Sequence, residues 1–313
     1  MSKYAFGVDI GGTTAKLGLF DEAGTILDKW EIPTGRANNG ADILPNIADS
    51  ILKKIEEKKI DKNLVAGVGV GAPGAVDDAG VLVNGAVNLG WGVFNLAEEF
   101  SKICGLKVIA ANDANVAAYG EMWQGGGKGY DSLVAVTLGT GVGGGIIING
   151  RLLNGATGGG GEIGHIHIED NEPEACGCKN HGCLEQYASA TGIVRLANRR
   201  LAKDDKASVL RQGEISAKAV FDAVKAKDEV AMEIAETFGE YLGKGLAAVA
   251  NVVNPQVFVI GGGVSKAGEV LLGYVEPAFQ KYVFGACKNA KFALATLGND
   301  AGIVGAAGLV LNA

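Results

Sequence analysis

No stretch of this chain approaches the roughly 20 consecutive apolar residues that a membrane-spanning helix needs, and the opening Met-Ser-Lys-Tyr-Ala-Phe carries no apolar signal-peptide region. Both absences point away from a membrane and from export, so a cytoplasmic protein is expected. Basic residues are not in excess either: 28 Lys and Arg stand against 35 Asp and Glu, a net charge of −7, and no basic stripe interrupts the balance. A nucleic acid would find little to bind, which leaves small molecules as the expected partners. Cysteine and histidine are scarce, at five and three, and no collagen period or low-complexity tract accounts for the fifty glycines. Glycine therefore has to be concentrated in particular turns.

Those turns are Gly11-Gly12, Gly139 to Gly145, Gly158 to Gly161 and Gly261 to Gly263. At 313 residues the chain exceeds the usual single-domain size, and two α/β domains are expected. Tyr4–Ile10, Ala15–Phe20 and Thr25–Ile32 read as an antiparallel meander whose first turn is Gly/Thr-rich. The same strand, Gly/Thr turn, strand, turn, strand unit recurs from Ser132 to Leu153, about 130 residues later, with Asn149-Gly150 as its hairpin signal. That is an internal duplication at domain scale, and it would bring two phosphate-gripping turns to face each other across a cleft. Helical periodicity is expected in residues 42–59, 96–103, 114–124, 184–202, 217–225, 229–253 and 301–311, with a further helix starting at Val264-Ser265. The division is expected near residues 115–130: a small domain of residues 1–118, rejoined by a C-terminal helix at 300–313, and a larger one of residues 119–299.

Asp9-Ile-Gly-Gly-Thr-Thr-Ala-Lys16 sets a carboxylate at a strand end before a tight turn. Gly11 and Gly12 let backbone N–H groups approach phosphate oxygens, Thr13 and Thr14 can donate to them, and Asp9 can hold Mg²⁺ through water. It is neither a P-loop nor a dinucleotide fingerprint, and by itself it also fits an ordinary hairpin turn; its echo at Leu138–Gly145 favours phosphate. Asn112-Asp113 stands where a strand ends and a helix begins, a place that suits an N-cap and equally a carboxylate accepting a proton from a substrate hydroxyl. Gly261-Gly262-Gly263, after an apolar strand, is a plausible nucleotide contact.

Three of the five cysteines, Cys176, Cys178 and Cys183, fall together, and His165, His167 and His181 flank them. In a reducing compartment such a cluster is a metal site sooner than a disulfide, and three thiolates with one imidazole close a tetrahedral zinc site. Spacing alone leaves the three histidines as equal candidates for the fourth ligand. Glu162 and Glu185 would be held in register at the two ends of the knot, while Cys104 and Cys287 read as core.

Taken together, Asp9 to Lys16, Gly71-Ala-Pro-Gly74, Asn112-Asp113, Leu138 to Gly144, Gly161-Glu-Ile-Gly-His165 and Cys176 to Glu185 resemble the ROK family of sugar kinases and repressors, within it most of all the bacterial ATP-dependent glucokinases. The resemblance implies a duplicated actin-like, hexokinase-type (ribonuclease H-like) α/β fold, with sugar and ATP in the cleft between two domains. It implies Asp113 as the general base; Gly71, Asn88, Asn112, Asp113, Glu162, His165 and Glu185 on the sugar side; Asp9, Gly11, Gly12, Thr13, Thr14, Lys16, Thr140 and Gly141 at the phosphates and Mg²⁺; and Gly262 and Gly263 on the adenosine side. It also implies His165, Cys176, Cys178 and Cys183 as the ligands of a structural zinc, and a homodimer or higher oligomer. One departure stands out: the family usually has glycine directly after the second cysteine, where this chain has Lys179. The expected reaction is transfer from ATP to the 6-hydroxyl of glucose. The alternatives are another hexose (fructose, mannose, allose or N-acetylmannosamine), a sugar-responsive repressor, for which the eight residues before Asp9 leave no room for a DNA-binding segment, and an actin-like ATPase, which has no use for a sugar-facing knot.

Overall fold

The computed structural model describes residues 3–35 and 37–313. The chain opens with β1 (Tyr4–Ile10), β2 (Thr14–Asp21) and β3 (Ile26–Pro33), an antiparallel meander in which Asp9 pairs with Lys16 and Lys16 with Glu31. In α1 (Ile43–Glu57), Ile43, Ile47, Ile51 and Ile55 recur at helical spacing and are all buried. Next come β4 (Val65–Ala72), a short hairpin of β5 (Val81–Leu82) and β6 (Phe94–Asn95), α2 (Leu96–Cys104), β7 (Val108–Asn112) and α3 (Asp113–Gln124). The sheet has the order β3-β2-β1-β4-β7, with β1, β4 and β7 parallel.

The later elements are β8 (Leu133–Leu138), β9 (Val142–Ile148), β10 (Arg151–Leu152), α4 (Glu185–Ala188), α5 (Ala190–Leu201), α6 (Ala217–Lys225), α7 (Glu229–Val253), β11 (Val257–Gly261), α8 (Glu269–Tyr282), β12 (Lys291–Leu294) and α9 (Ala301–Leu311). Their sheet has the order β10-β9-β8-β11-β12, with β8, β11 and β12 parallel. The pattern third, second, first, fourth, fifth is the same in both sheets, so the repeat seen in the two Gly/Thr turns extends to whole sheets. The fold is α/β and duplicated. Its two compact units are the segment ending at Gly129 with Gly145–Gly161 and Leu297–Ala313, and Tyr130–Gly144 with Glu162–Thr296.

In the first unit the small residues of α9 are explained by how closely the helix lies on its neighbours. A Cβ on Gly69 of β4 would stand 1.7 Å from the Ala306 carbonyl oxygen, and one on Gly305 would stand 1.6 Å from that of Val116 in α3. Backbone thus rests on backbone, and Ile303, Val304 and Ala307 close a small core over Ala5 and Phe20.

Two expected helices differ in the structure. The helix expected through residues 184–202 is broken at Ser189, whose extended backbone (φ −92°, ψ 174°) ends α4 and whose Oγ accepts the Gly192 N–H at 3.0 Å to cap α5. The helix expected from Val264 begins at Glu269, because Gly268 (φ 81°) separates α8 from a 3-10 turn at Val264–Ala267. α7 ends as its sequence predicts, at Asn254 in the left-handed region (φ 45°) before Pro255. Among the described residues no helix is long and apolar enough to cross a membrane.

Candidate functional site

Parallel pairing at the carboxyl ends of three strands gathers the first set of residues. Asp9 of β1 lies opposite Gly71 of β4, Gly71 lies opposite Ala111 of β7, and Ala72 opposite Asn112. Open α/β sheets bind ligands at such strand ends. The Asn112 side chain caps α3 and also reaches past β4's end. Its Oδ1 accepts from the Ala114 and Asn115 N–H groups at 2.9 and 3.2 Å, capping α3, and its Nδ2 donates to the Gly74 carbonyl at 3.0 Å. Asp113, the first residue of α3, accepts from the Ala114 N–H at 2.8 Å and stays open to solvent.

Asp113 is accessible, yet protein crowds much of its carboxyl, and the lost hydration raises it above the ordinary carboxylate value. Asp9 is raised for the same first reason, with repulsion from Asp113 added and attraction to Lys16 opposing. Behind Asp9 is the start of α9: a Cβ on Gly302 would lie 2.6 Å from Asp9 Oδ2, so glycine there lets the helix end meet the carboxylate. Gly302 is a residue that motif reading missed, because its role depends on a contact almost 300 positions away in sequence.

Gly71 is a packing position in this unit. A Cβ there would strike Val116 Cγ2 at 2.4 Å, so the glycine seats the first turn of α3 on β4. Around the first Gly/Thr turn, the Gly11 N–H donates to the Thr14 carbonyl at 3.0 Å, the Thr34 hydroxyl donates to the Gly11 carbonyl at 2.9 Å, and Thr13 is exposed. A Cβ on Gly12 would come no closer than 3.8 Å to anything, and that neighbour is Asn88 Nδ2. Lys16 Nζ donates to the Asn299 carbonyl at 3.4 Å, beside the start of α9.

In the second unit the other Gly/Thr turn lies against the cysteine knot. A Cβ on Gly141 would be 2.4 Å from Glu185 Oε2, which accepts from the Val142 N–H at 3.4 Å. The other Glu185 oxygen accepts from the Cys176 thiol at 2.8 Å. Thr140, Gly141, Cys176 and Glu185 line one cavity of about 230 Å³. Thr191 of α5 donates to the Thr140 carbonyl at 2.7 Å, so the break at Ser189 ties the helix start to the turn. Gly262 (φ 84°) has no room for a side chain against the Leu138 carbonyl, and Gly263 opens on a cavity of about 160 Å³ lined by Phe221, Val264 and Ala267.

Geometry separates the three histidines. His167 spends both ring nitrogens, on the His181 carbonyl at 2.9 Å and Asp170 at 2.8 Å, and His181 Nδ1 pairs with the Glu172 carbonyl at 3.0 Å. Nδ1 of His165 lies 3.8 Å from Cys176 Sγ, Sγ of Cys178 lies 3.6 Å from that of Cys183, and all four ligand atoms fall within 4.8 Å of one another. A tetrahedral zinc with bonds of about 2.3 Å to sulfur sets its ligands about 3.8 Å apart, so the donor set fits that ion. Burial first, and then the Glu185 carboxylate, push the Cys176 thiol up to about 12, whereas the Asn180 N–H lowers Cys178. A thiolate at Cys176 therefore calls for a cation beside it. Nε2 of His165 faces Glu162 at 3.9 Å, which sets that ring between the knot and a glutamate expected at the sugar.

The loop between His167 and Cys176 is held from behind. Glu172, wholly buried in its side chain, takes two hydrogen bonds from Arg199 at 2.8 and 2.9 Å and one from the Tyr187 hydroxyl, which hold its carboxyl at about 2. Tyr187 stacks on Tyr241 with ring centroids 4.0 Å apart. Lys179 occupies the left-handed region (φ 73°), a conformation in which glycine is unstrained, and this accounts physically for the glycine usual at that place.

The model of the ROK family matches residues 5–313. A curated glucokinase of Halalkalibacterium halodurans is 44% identical over 98% of this chain and 95% of its own length. The glucokinase of Thermotoga maritima is 37% identical over 97% and 96%. Among solved structures, the ROK family glucokinase of Streptomyces griseus, in complex with glucose and AMPPNP, superposes with a TM-score of 0.73 at 36% identity, covering 99% of this chain and all (100%) of that one.

Proposed function

The chain belongs to the ROK family, and on that premise we propose that it is an ATP-dependent glucokinase, which forms glucose 6-phosphate and ADP. The observation that carries this reading is full-length likeness to glucokinases, one of them solved with glucose and an ATP analogue. The actin-like, hexokinase-type fold comes with it, and the repeated sheet order agrees.

Asp113 takes the proton of the attacking 6-hydroxyl. The N-cap at Asn112 fixes the backbone from which Asp113 projects, and its raised basicity suits an acceptor that must release the proton again. Asn88, Asn112, Glu162, His165 and Glu185 hold the hexose, with the Gly71 segment seating α3 beneath. Backbone N–H groups of Gly12 and Gly141 and the hydroxyls of Thr13, Thr14 and Thr140 receive phosphate oxygens, while Gly11, whose N–H closes the turn on the Thr14 carbonyl, shapes the first turn around them. Phosphoryl transfer asks the protein mainly for positioning and charge stabilisation, and such turns supply both. Asp9, with Lys16 opposite it in the register, is the residue to hold Mg²⁺, which when bound neutralises charge developing on the phosphates. Gly262 and Gly263, with the apolar cavity beside Phe221, suit an adenine.

Zinc at His165, Cys176, Cys178 and Cys183 is structural here, since all four positions of a tetrahedron are filled by protein. A homodimer or higher oligomer and a cytoplasmic setting complete the reading. The test is ADP release measured across a panel of hexoses: glucose is expected to give the highest kcat/KM, and a different hexose at the top would replace the substrate while keeping the reaction. No release with any hexose would overturn the kinase reading.

A further inference from the structure

A chain of buried amides lies behind Asp113, and no step of the proposed reaction uses it. Asn115, in the first turn of α3, is 2% exposed, and its Nδ2 donates to Asn154 Oδ1 at 2.9 Å. Asn154, 9% exposed in the loop after β10, donates its own Nδ2 to Asp78 Oδ1 at 2.8 Å. The Asn154 carbonyl accepts from the Gly160 N–H at 2.7 Å, which closes the glycine loop on itself. At the far side of that loop a Cβ on Gly158 would stand 2.9 Å from the Val76 nitrogen, so loop backbone rests directly on the segment between Gly74 and Asp78. That segment is also held at its other end, through the Gly74 carbonyl on Asn112.

Three separate stretches therefore meet at Asn154: the first turn of α3 that begins with Asp113, the 73–80 segment that follows Gly71, and the glycine loop that runs straight into Glu162. On the proposed function all three lead to residues that hold the hexose. Buried amides of this kind are costly unless every polar atom is paired, and when paired they fix one arrangement. A plain loop staple would need only backbone bonds. Here a single side chain joins all three stretches.

We infer that Asn154 is a positioning residue for the hexose, which sets the glycine loop and the 73–80 segment in register with the helix that begins at Asp113. This rests on the kinase reading. The residue touches no proposed ligand, so its effect is expected in the KM for the sugar and not in the KM for ATP, whose proposed contacts are elsewhere. Asn154→Asp keeps the acceptor for Asn115 but opposes two carboxylates at the Asp78 end. Adding Asp78→Asn puts a donor back across that gap.

The experiment is steady-state kinetics of Asn154→Asp, of Asn154→Asp with Asp78→Asn, and of Asp78→Ala, an exposed position where folding is secure. Asn154→Asp is expected to raise the KM for glucose about 10-fold with the KM for ATP within about 2-fold, and the double variant to recover most of that loss. Asp78→Ala is expected to move the glucose KM the same way, about 3-fold, and decides the matter if Asn154→Asp does not fold. Unchanged glucose KM in Asp78→Ala, parallel changes in both KM values, or a double variant no better than the single would each overturn the inference. If the wild-type protein phosphorylates no hexose, the kinase reading itself fails. Active wild type beside indifferent variants removes this inference alone.

Discussion

Asp9 of β1 lies opposite Gly71 of β4, and Gly71 lies opposite Ala111 of β7, two residues before Asp113; both carboxyls are harder to ionise than usual. Burial is the larger cause in both, and the charge of Asp113 adds to it at Asp9. Two carboxylates kept in such a place weigh against folding, a cost that fits the proposed function, which needs charge there to receive a cation and a proton.

Removing one of them separates stability from activity. A carboxyl raised in the fold binds protons more readily in the native state than in the unfolded one, so its contribution declines as pH rises from 3.8 through the folded value and is fully unfavourable at neutral pH. Asp113→Asn is therefore expected to melt at a higher temperature than wild type at pH 7, while turnover drops about 10²- to 10⁴-fold. Near-normal turnover would remove Asp113 from the role of base.

The pH profile follows the same sign. Proton acceptance needs the carboxylate, so kcat/KM should rise with pH along an acid limb and then level off. Because the carboxyl is raised, that limb is expected above 3.8. A limb at or below that value, in rate data corrected for acid unfolding, would show that crowding around Asp113 does not govern the rate.

Zinc is expected at one ion per chain by elemental analysis of the purified protein. Cys178→Ser takes away one ligand without touching Glu162 or Glu185, so zinc content should fall and glucose binding weaken about 10- to 100-fold, through lost order alone. Full glucose affinity in a zinc-free variant, read by calorimetry, would make the knot a stability element only.

Lys179→Gly is expected to stabilise the protein by about 0.5–1 kcal/mol, since the left-handed backbone there is strained for lysine and relaxed for glycine. Its side chain is exposed, so glucose kinetics should not change. A drop in melting temperature would show that the lysine side chain does more at that turn than strain it.

Much of this was present in the order of residues. The repeated Gly/Thr turns disclosed the duplication, because a tight turn at a strand end needs the same few residue types wherever it occurs. The cysteine spacing likewise disclosed a cluster able to hold a metal, because the three thiols are near neighbours in sequence. Helix ends were legible where a side chain supplies the cap, as at Asn112, and where Asn254-Pro255 ends α7.

The sequence by itself put forward the groups that the proposed function uses: the carboxylate after Asn112, the two glycine turns, the thiols and three candidate histidines. Tertiary structure decided which of them meet. Only parallel pairing of β1, β4 and β7 brings Asp9 beside Asp113, only the seating of α9 through Gly69, Gly302 and Gly305 fills the space behind them, and only the fold shows that Asn154 joins three segments. The physical reason is the range of the interactions. Turn, cap and ligand-spacing preferences act over a few residues and leave a pattern there, while strand order and backbone-to-backbone packing are settled by burial among segments far apart in the chain.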